Sequence, residues 1–474
     1  MKIKTFSLLT IILLLAMAAF PLAALAGAYE VQFTTSITYQ NVDTSATTDL
    51  RIFFYDSPSD TVPIEIIRPN LAAGAGTSVF IGGLAQIGPS FEGTAVMTSD
   101  RNLVATLVQI PDTTQTTVKV RPLSNGFSSG TPNSLIATVL KNAFSPANFT
   151  VFSVQNVGSS STDVTITFYN TSAAVVHTIN QTLQPGAGYF VDAGTITQLG
   201  STFNGSVVIQ STGGSIVSSA MEMETGSGVG AKAFEGLGAG ATTIFMPSAL
   251  CNYVAAGGPT NTAYAVQNTS LSTSTNVTVT YSNGTTQSSP IGPGAKASFV
   301  SCNASGMTQN FLGAATITSD TTDVIAIGKA YGQGLSTAFV GASSGSQRIA
   351  LPYVRYSTNA NFLSGAQQRV FISIQNVGGS TVTGDIVVRY IDRDGVEVGT
   401  HTITTDVAPG AKVNSNATNA GLAEFGVYNA GTQFGGGVII EGPAGSELAA
   451  IARVQTYVPA TGLSAAEDYN GIPQ

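Results

Sequence analysis

The chain has 474 residues, and only 9 % of them are charged, against about 25 % in an ordinary soluble domain. Hydrophobic residues make up 43 %, and the 52 glycines follow no Gly-X-Y period, so the chain is neither disordered nor collagen-like. A net charge of −8, two His, two Cys and no Trp argue against a nucleic-acid partner, most histidine-based catalysis, cysteine metal clusters and tryptophan-lined sugar platforms.

The first segment, residues 1–26, reads as a secretory signal peptide. Lys2 and Lys4 make a basic start, Leu8 to Phe20 an apolar core, and Ala24-Leu25-Ala26 a small-x-small cleavage site. No second apolar run of about 20 residues follows, so no transmembrane segment is expected in the mature chain. The expected location is secreted and associated with the cell surface.

The remainder divides into four copies of one unit. A Gln-Asn pair closes a strand-like run at Gln40-Asn41, Gln155-Asn156, Gln267-Asn268 and Gln375-Asn376, with the Asn residues spaced by 115, 112 and 108. Thirteen or fourteen residues later a Tyr closes an alternating run, at Tyr55, Tyr169, Tyr281 and Tyr390. A turn follows, centred on Gly74, Gly186, Gly294 and Gly410. A Phe-x-Gly comes next: Phe91-Glu92-Gly93, Phe203-Asn204-Gly205, Phe311-Leu312-Gly313 and, after an insertion, Phe434-Gly435-Gly436.

Runs such as Val164-Thr165-Ile166-Thr167-Phe168 alternate apolar and polar residues, which is a strand with one buried face. Turn-rich clusters separate such runs every 8 to 12 residues. About seven strands in roughly 110 residues fit an Ig-like antiparallel β-sandwich. The expected fold is therefore all-β: four tandem sandwiches after the signal peptide, spanning 27–126, 127–236, 237–341 and 342–474. A domain of this size can bury its own core, so beads on a string are expected. Apolar runs at Leu135–Leu140, Ile244–Leu250 and Ile349–Val354 read as leading strands of the second, third and fourth units. The first unit has no room for one between Gly27 and Gln40. Its open edge either takes a strand from a partner or is covered by the smaller sandwich itself.

Few residues suggest chemistry. His177 and His401 share one repeat position and have no nucleophile or orienting acid beside them in sequence, so both read as structural. Cys251 and Cys302 fall within the third unit. In an exported chain they predict a disulfide, worth roughly 3–4 kcal/mol for a loop of about 50 residues; two free thiols are the alternative. Asp392-Arg393-Asp394-Gly395 resembles part of a calcium loop but lies where a hairpin turn is expected. Asp100, Asp320, Asp323 and Glu447 occupy similar turn positions. No metal or other cofactor is expected, and no enzyme activity.

The Gln-Asn segment, the strand ending in Tyr and the Pro-Gly-Ala turn together resemble the tandem Ig-like repeats of exported surface proteins of environmental, often filamentous, bacteria. The resemblance implies an adhesin, sheath or surface-layer type of protein, without catalytic residues to carry over. Asn41, Asn156, Asn268 and Asn376, with Gly74, Gly186, Gly294 and Gly410, are the repeat signature. The function expected is a non-catalytic extracellular structural or adhesive one, with partners among copies of itself, other surface proteins or glycans. A carbohydrate-binding array is the alternative, and a secreted hydrolase a distant third.

Overall fold

The computed structural model describes residues 33–88, 91–111, 120–224, 230–255, 258–332, 335–360, 365–427, 436–460 and 463–474. The expected signal peptide and Phe434-Gly435 lie outside them. The described chain is all-β, every strand pairing is antiparallel, and the sheets fall into four pairs, here units 1 to 4.

Unit 1 holds β1 (Phe33–Asn41), β2 (Thr48–Tyr55), β3 (Ile64–Leu71), β4 (Gly76–Phe80), β5 (Thr94–Ser99), β6 (Leu103–Pro111) and β7 (Leu123–Asn125). They form one sheet in the order β4-β1-β6-β7 and another in the order β3-β2-β5. Unit 2 begins with β8 (Asn133–Lys141) and continues with β9 (Asn148–Asn156), β10 (Thr162–Asn170), β11 (Val175–Leu183), β12 (Gly188–Asp192), β13 (Phe203–Ser211), β14 (Ile216–Glu224) and β15 (Ala231–Glu235). Its sheets are β12-β9-β14-β15 and β11-β10-β13-β8.

Unit 3 comprises β16 (Thr243–Cys251), β17 (Tyr253–Ala255), β18 (Gly258–Asn268), β19 (Thr275–Tyr281), β20 (Thr286–Ile291), β21 (Lys296–Val300), β22 (Phe311–Ser319), β23 (Val324–Gly332) and β24 (Leu335–Val340). Unit 4 comprises β25 (Arg348–Leu351), β26 (Tyr356–Ala360), β27 (Ala366–Asn376), β28 (Ile386–Asp392), β29 (Glu397–Ile403), β30 (Lys412–Ser415), β31 (Gly436–Glu441), β32 (Leu448–Val458), β33 (Leu463–Asn470) and β34 (Ile472–Pro473). The leading strands β8, β16 and β25 lie beside β13, β22 and β31. Among the described residues β5 of unit 1 has no such neighbour.

Alternation builds each sandwich. In β10, Val164, Ile166 and Phe168 point inward and are fully buried, while Asp163, Thr165 and Thr167 look outward. The four tyrosines that keep step in sequence do not hold one structural position. Tyr281 and Tyr390 point into their cores, where units 1 and 2 place Phe54 and Phe168. Tyr55 and Tyr169 sit one residue further on and so face the other side. The side-chain period of two explains this: a spacing of thirteen or fourteen can count the wrong residue.

The units are not beads on a string. The short last strands touch in a cycle, β7 to β15, β15 to β24, β24 to β33 and β33 back to β7, so the four sandwiches close into a head-to-tail ring. Hydrophobic clusters cross the joints. Ala265, Ile325, Ile327, Ala338 and Val340 of unit 3 share a cluster with the core of unit 2. Val108 and Leu123 of unit 1 pack into the core of unit 4. The cause is visible in the last strands: β15 and β24 are buried along their whole length, the charged Lys232 and Glu235 of β15 included. A strand buried on both faces needs cover beyond its own sandwich.

Candidate functional site at the unit joints

The signature Asn residues are internal clamps. Each is fully buried at the end of a central strand. Asn156 donates from Nδ2 to the carbonyls of Ser160 (2.8 Å) and Leu183 (3.1 Å), and its Oδ1 accepts from the Gly158 N–H (2.9 Å). Asn41, Asn268 and Asn376 repeat this pattern with Ala46, Thr273 and Ser380 as the near acceptors. One carboxamide thus holds a tight loop to the strand beside it, which a hydroxyl or carboxylate could not do with both donor and acceptor.

The neighbouring glutamines reach the turn and, at two joints, the preceding unit. Gln40, Gln155, Gln267 and Gln375 donate from Nε2 to the carbonyls of Gly74, Gly186, Gly294 and Gly410. Gln155 also donates to the Ala95 carbonyl of unit 1 (3.3 Å), and Gln267 to the Val207 carbonyl of unit 2 (3.2 Å). The signal for this role lay in the recurring Gln-Asn pair, but nothing in sequence separated the clamp from the joint.

The turn glycines are where units meet. Gly186 has φ +81° and Gly294 φ +66°, a region that side chains with a Cβ avoid. A Cβ on Gly186 would stand 2.2 Å from the Tyr55 ring, and one on Gly294 2.9 Å from the Tyr169 ring. Thr94 donates its hydroxyl to the Gly186 carbonyl (2.9 Å), and Ser206 does the same to Gly294 (2.7 Å). Gly74 lies against the Gly395 carbonyl of unit 4, and the Gly76 N–H donates to the Arg393 carbonyl (3.2 Å). At the joint of units 3 and 4, Ser373 and Lys412 both donate to the Pro247 carbonyl.

A few buried charges gather at the joints of the units. Glu222 is buried between Lys232 (3.1 Å) and Lys329 of unit 3 (2.5 Å). Burial works to raise its carboxyl, but the two ammonium groups outweigh it and hold it down at about 2. Lys296 lies close by, donating to Thr138. Burial, then repulsion from Lys329, lowers its ammonium to about 7. Arg453 grips Asp468 with two hydrogen bonds of 2.8 and 2.7 Å. Burial raises the Glu467 carboxyl to about 8, although it accepts from the Arg121 N–H (2.6 Å). Asn125, Glu235, Val340 and Asn470 come from four different units. The Asn125 N–H donates to Glu235, its side chain to the Asn470 carbonyl (2.7 Å), and Asn470 makes a two-way pair with the Val340 backbone (2.8 and 2.9 Å).

Cys251 and Cys302 form a disulfide with a Cα–Cα distance of 5.0 Å. His177 lies against Phe168, and His401 shares a hydrogen bond of 2.9 Å with Ser415. Asp392 caps the β28–β29 hairpin by accepting from the N–H groups of Asp394 and Val396, so this segment is a turn. Asp100 and Asp320 play one part in units 1 and 3, accepting from Thr48 and Asp49, and from Thr275 and Asn276. Among the described residues no group of three or more His, Cys, Asp or Glu is placed to hold a metal ion, and no helix is long and apolar enough to cross a membrane.

No family model matches the chain, and no curated protein matches it. Among solved structures the chain is similar to a serine-rich repeat protein, Srr2, from Streptococcus agalactiae. The identity is 8 %, covering 54 % of this chain and 85 % of that one, with a TM-score of 0.12, a likeness too slight to transfer a fold or a function.

Proposed function

We propose that the chain is a non-catalytic structural or adhesive protein that works outside the cell, at the cell surface. One observation carries the reading: the residues that recur in every unit are spent on holding loops and joining units. The Asn clamps and turn glycines shape each unit, the Gln contacts reach across two joints, and the closed ring exposes sheet faces of Thr, Ser and Asn. Such weakly charged faces approach neighbouring molecules with little repulsion. The signal-peptide pattern of residues 1–26 and the disulfide both suit an exported protein. The test is electron microscopy and particle sizing of the purified protein, with labelled protein on whole cell envelopes. Regular assemblies or envelope decoration support the proposal; a monodisperse protein that hydrolyses a polymer, with the activity lost on changing one carboxylate, overturns it.

A second reading, glycan binding, has one feature in its favour. A shallow groove on unit 2 is lined by Asp163, Thr165, Asn180, Gln181 and Thr182, side chains suited to sugar hydroxyls. A glycan-array screen that scores positive, and loses its signal on Asn180→Ala, would favour it.

A further inference from the structure

Units 2 to 4 supply a template for what the described residues of unit 1 lack. In unit 2, β8 lies between two backbones: it pairs along β13 on one side, and Leu135 bridges Leu237 on the other. Unit 3 repeats this with β16 between β22 and Ala342, and unit 4 with β25 between β31 and β34. In unit 1 the corresponding walls are β5 and the segment at Gly126-Phe127, and no described strand lies between them. Phe127 is accordingly 39 % exposed.

The floor of this slot is only partly covered by the described residues. Met97 occupies the position of Ile209, Ile317 and Ile440, each fully buried, yet it is only partly buried. Leu103 and Ala105 are partly buried where Ile216 and Ser218, Val324 and Ala326, and Leu448 and Ala450 are covered. The edge strand β5 carries no Lys, no Pro and no bulge, the devices that protect exposed edges. Its end at Thr94-Ala95 is held by unit 2, which leaves Val96 to Ser99 available.

We propose that this slot binds an extended, largely apolar peptide strand contributed by another polypeptide chain. Backbone hydrogen bonds to β5 and to Phe127 would supply affinity, and alternate side chains would cover Met97, Leu103 and Ala105. A single strand fits better than the edge of a second sheet, because both walls of the slot offer backbone. In unit 2 the leading strand joins the next strand through residues 142–147. The same connection before Phe33 places an in-chain donor at residues 18–26, which the sequence assigns to the leader removed on export. With that leader removed, the donor is another chain. The proposal shares with the surface role only the removal of residues 1–26 on export.

The probe is a fluorescent synthetic peptide with the sequence of β8, Asn133 to Lys141, added to the purified intact chain. The expected result is saturable one-to-one binding by anisotropy, with hydrogen exchange at Val96–Ser99 and Phe127 slowed roughly ten-fold or more. The same peptide carrying Val139→Pro, which cannot pair along both edges, should lose binding; this control needs no change to the protein. Met97→Asp should also lose it while the thermal melt of the ring is kept. Failure of the β8 peptide to bind, equal binding of the proline peptide, or exchange at Val96–Ser99 already slow without peptide would each overturn the proposal. The last outcome would mean that the chain fills or closes the slot by itself.

Discussion

The hydroxyl of Thr94 in unit 1 reaches across the joint to the carbonyl of Gly186 in unit 2, at 2.9 Å. The Gly186 carbonyl also accepts from Gln155 of its own unit, while the Tyr55 ring closes over the glycine. Gly186→Ala therefore meets two penalties: a left-handed φ and a Cβ driven into the ring. Together they should destabilise the protein by roughly 2–4 kcal/mol. Adding Tyr55→Ala should relieve the clash but not the φ strain, so the double variant should recover part of the loss. Thermal melts of the two variants check both statements.

The Glu222 site predicts an asymmetric response. Glu222→Gln leaves Lys232 and Lys329 buried without their counter-charge and should destabilise by about 3–5 kcal/mol. Replacing all three residues with apolar side chains of similar volume should recover most of that loss. Because Lys329 belongs to the neighbouring unit, the single variant should also raise protease sensitivity at the joint of units 2 and 3. Denaturant melts with limited proteolysis provide the measurement.

Glu467 sets a pH dependence whose sign follows from its environment. Its carboxyl is raised to about 8 in the folded chain from an ordinary 4.5. Between those values the folded state holds a proton that the unfolded state has lost. Its contribution is thus intact below about pH 4.5 and falls as pH rises through 8, by at most about 1.4 kcal/mol per pH unit. Glu467→Gln keeps an acceptor for the Arg121 N–H and should flatten the fall. Lys296, lowered to about 7 from 10.5, acts in another window: stability should rise between about pH 7 and 10.5 as the unfolded chain gives up its extra proton. Lys296→Met should remove that rise. Tm measured against pH for the parent and both variants separates the two windows.

Removing the disulfide with the Cys251→Ala, Cys302→Ala pair should lower stability by about 3–4 kcal/mol, from the 51-residue separation of the two residues. The bridge lies within unit 3, but the clusters that cross the joints tie that unit to its neighbours. Calorimetry should therefore show the main transition move as a whole rather than a separate early melt of one unit.

The four-unit repeat, the alternating strands, the Asp392–Gly395 turn and the cysteine pair were all legible in the sequence, because each is a local pattern. Ring closure was not legible. It rests on Asn125, Glu235, Val340 and Asn470, four residues of three types at corresponding places, some of them more than 340 positions apart. A repeat search finds likeness, and these contacts are made by unlike residues. The buried Glu222 and Glu467 escaped for a related reason: their counter-charges or donors come from other units. Tyr55 and Tyr169 were misread beside Tyr281 and Tyr390 because one residue of drift changes the face of a strand without disturbing the spacing.

The joint between units 4 and 1 differs from the others in time rather than in chemistry. Three joints connect neighbours along the chain and can form as soon as the later unit folds. The fourth needs β33, Leu463–Asn470, to meet β7 at Leu123–Asn125. Until that stretch has been delivered, units 1 to 3 form an open arc whose last strands lack one flank. Closing the cycle is therefore a late event in folding, and its slow step is a search between chain segments far apart in sequence. A chain held in that open state would present its last strands to whatever passes, whereas the closed ring keeps them covered.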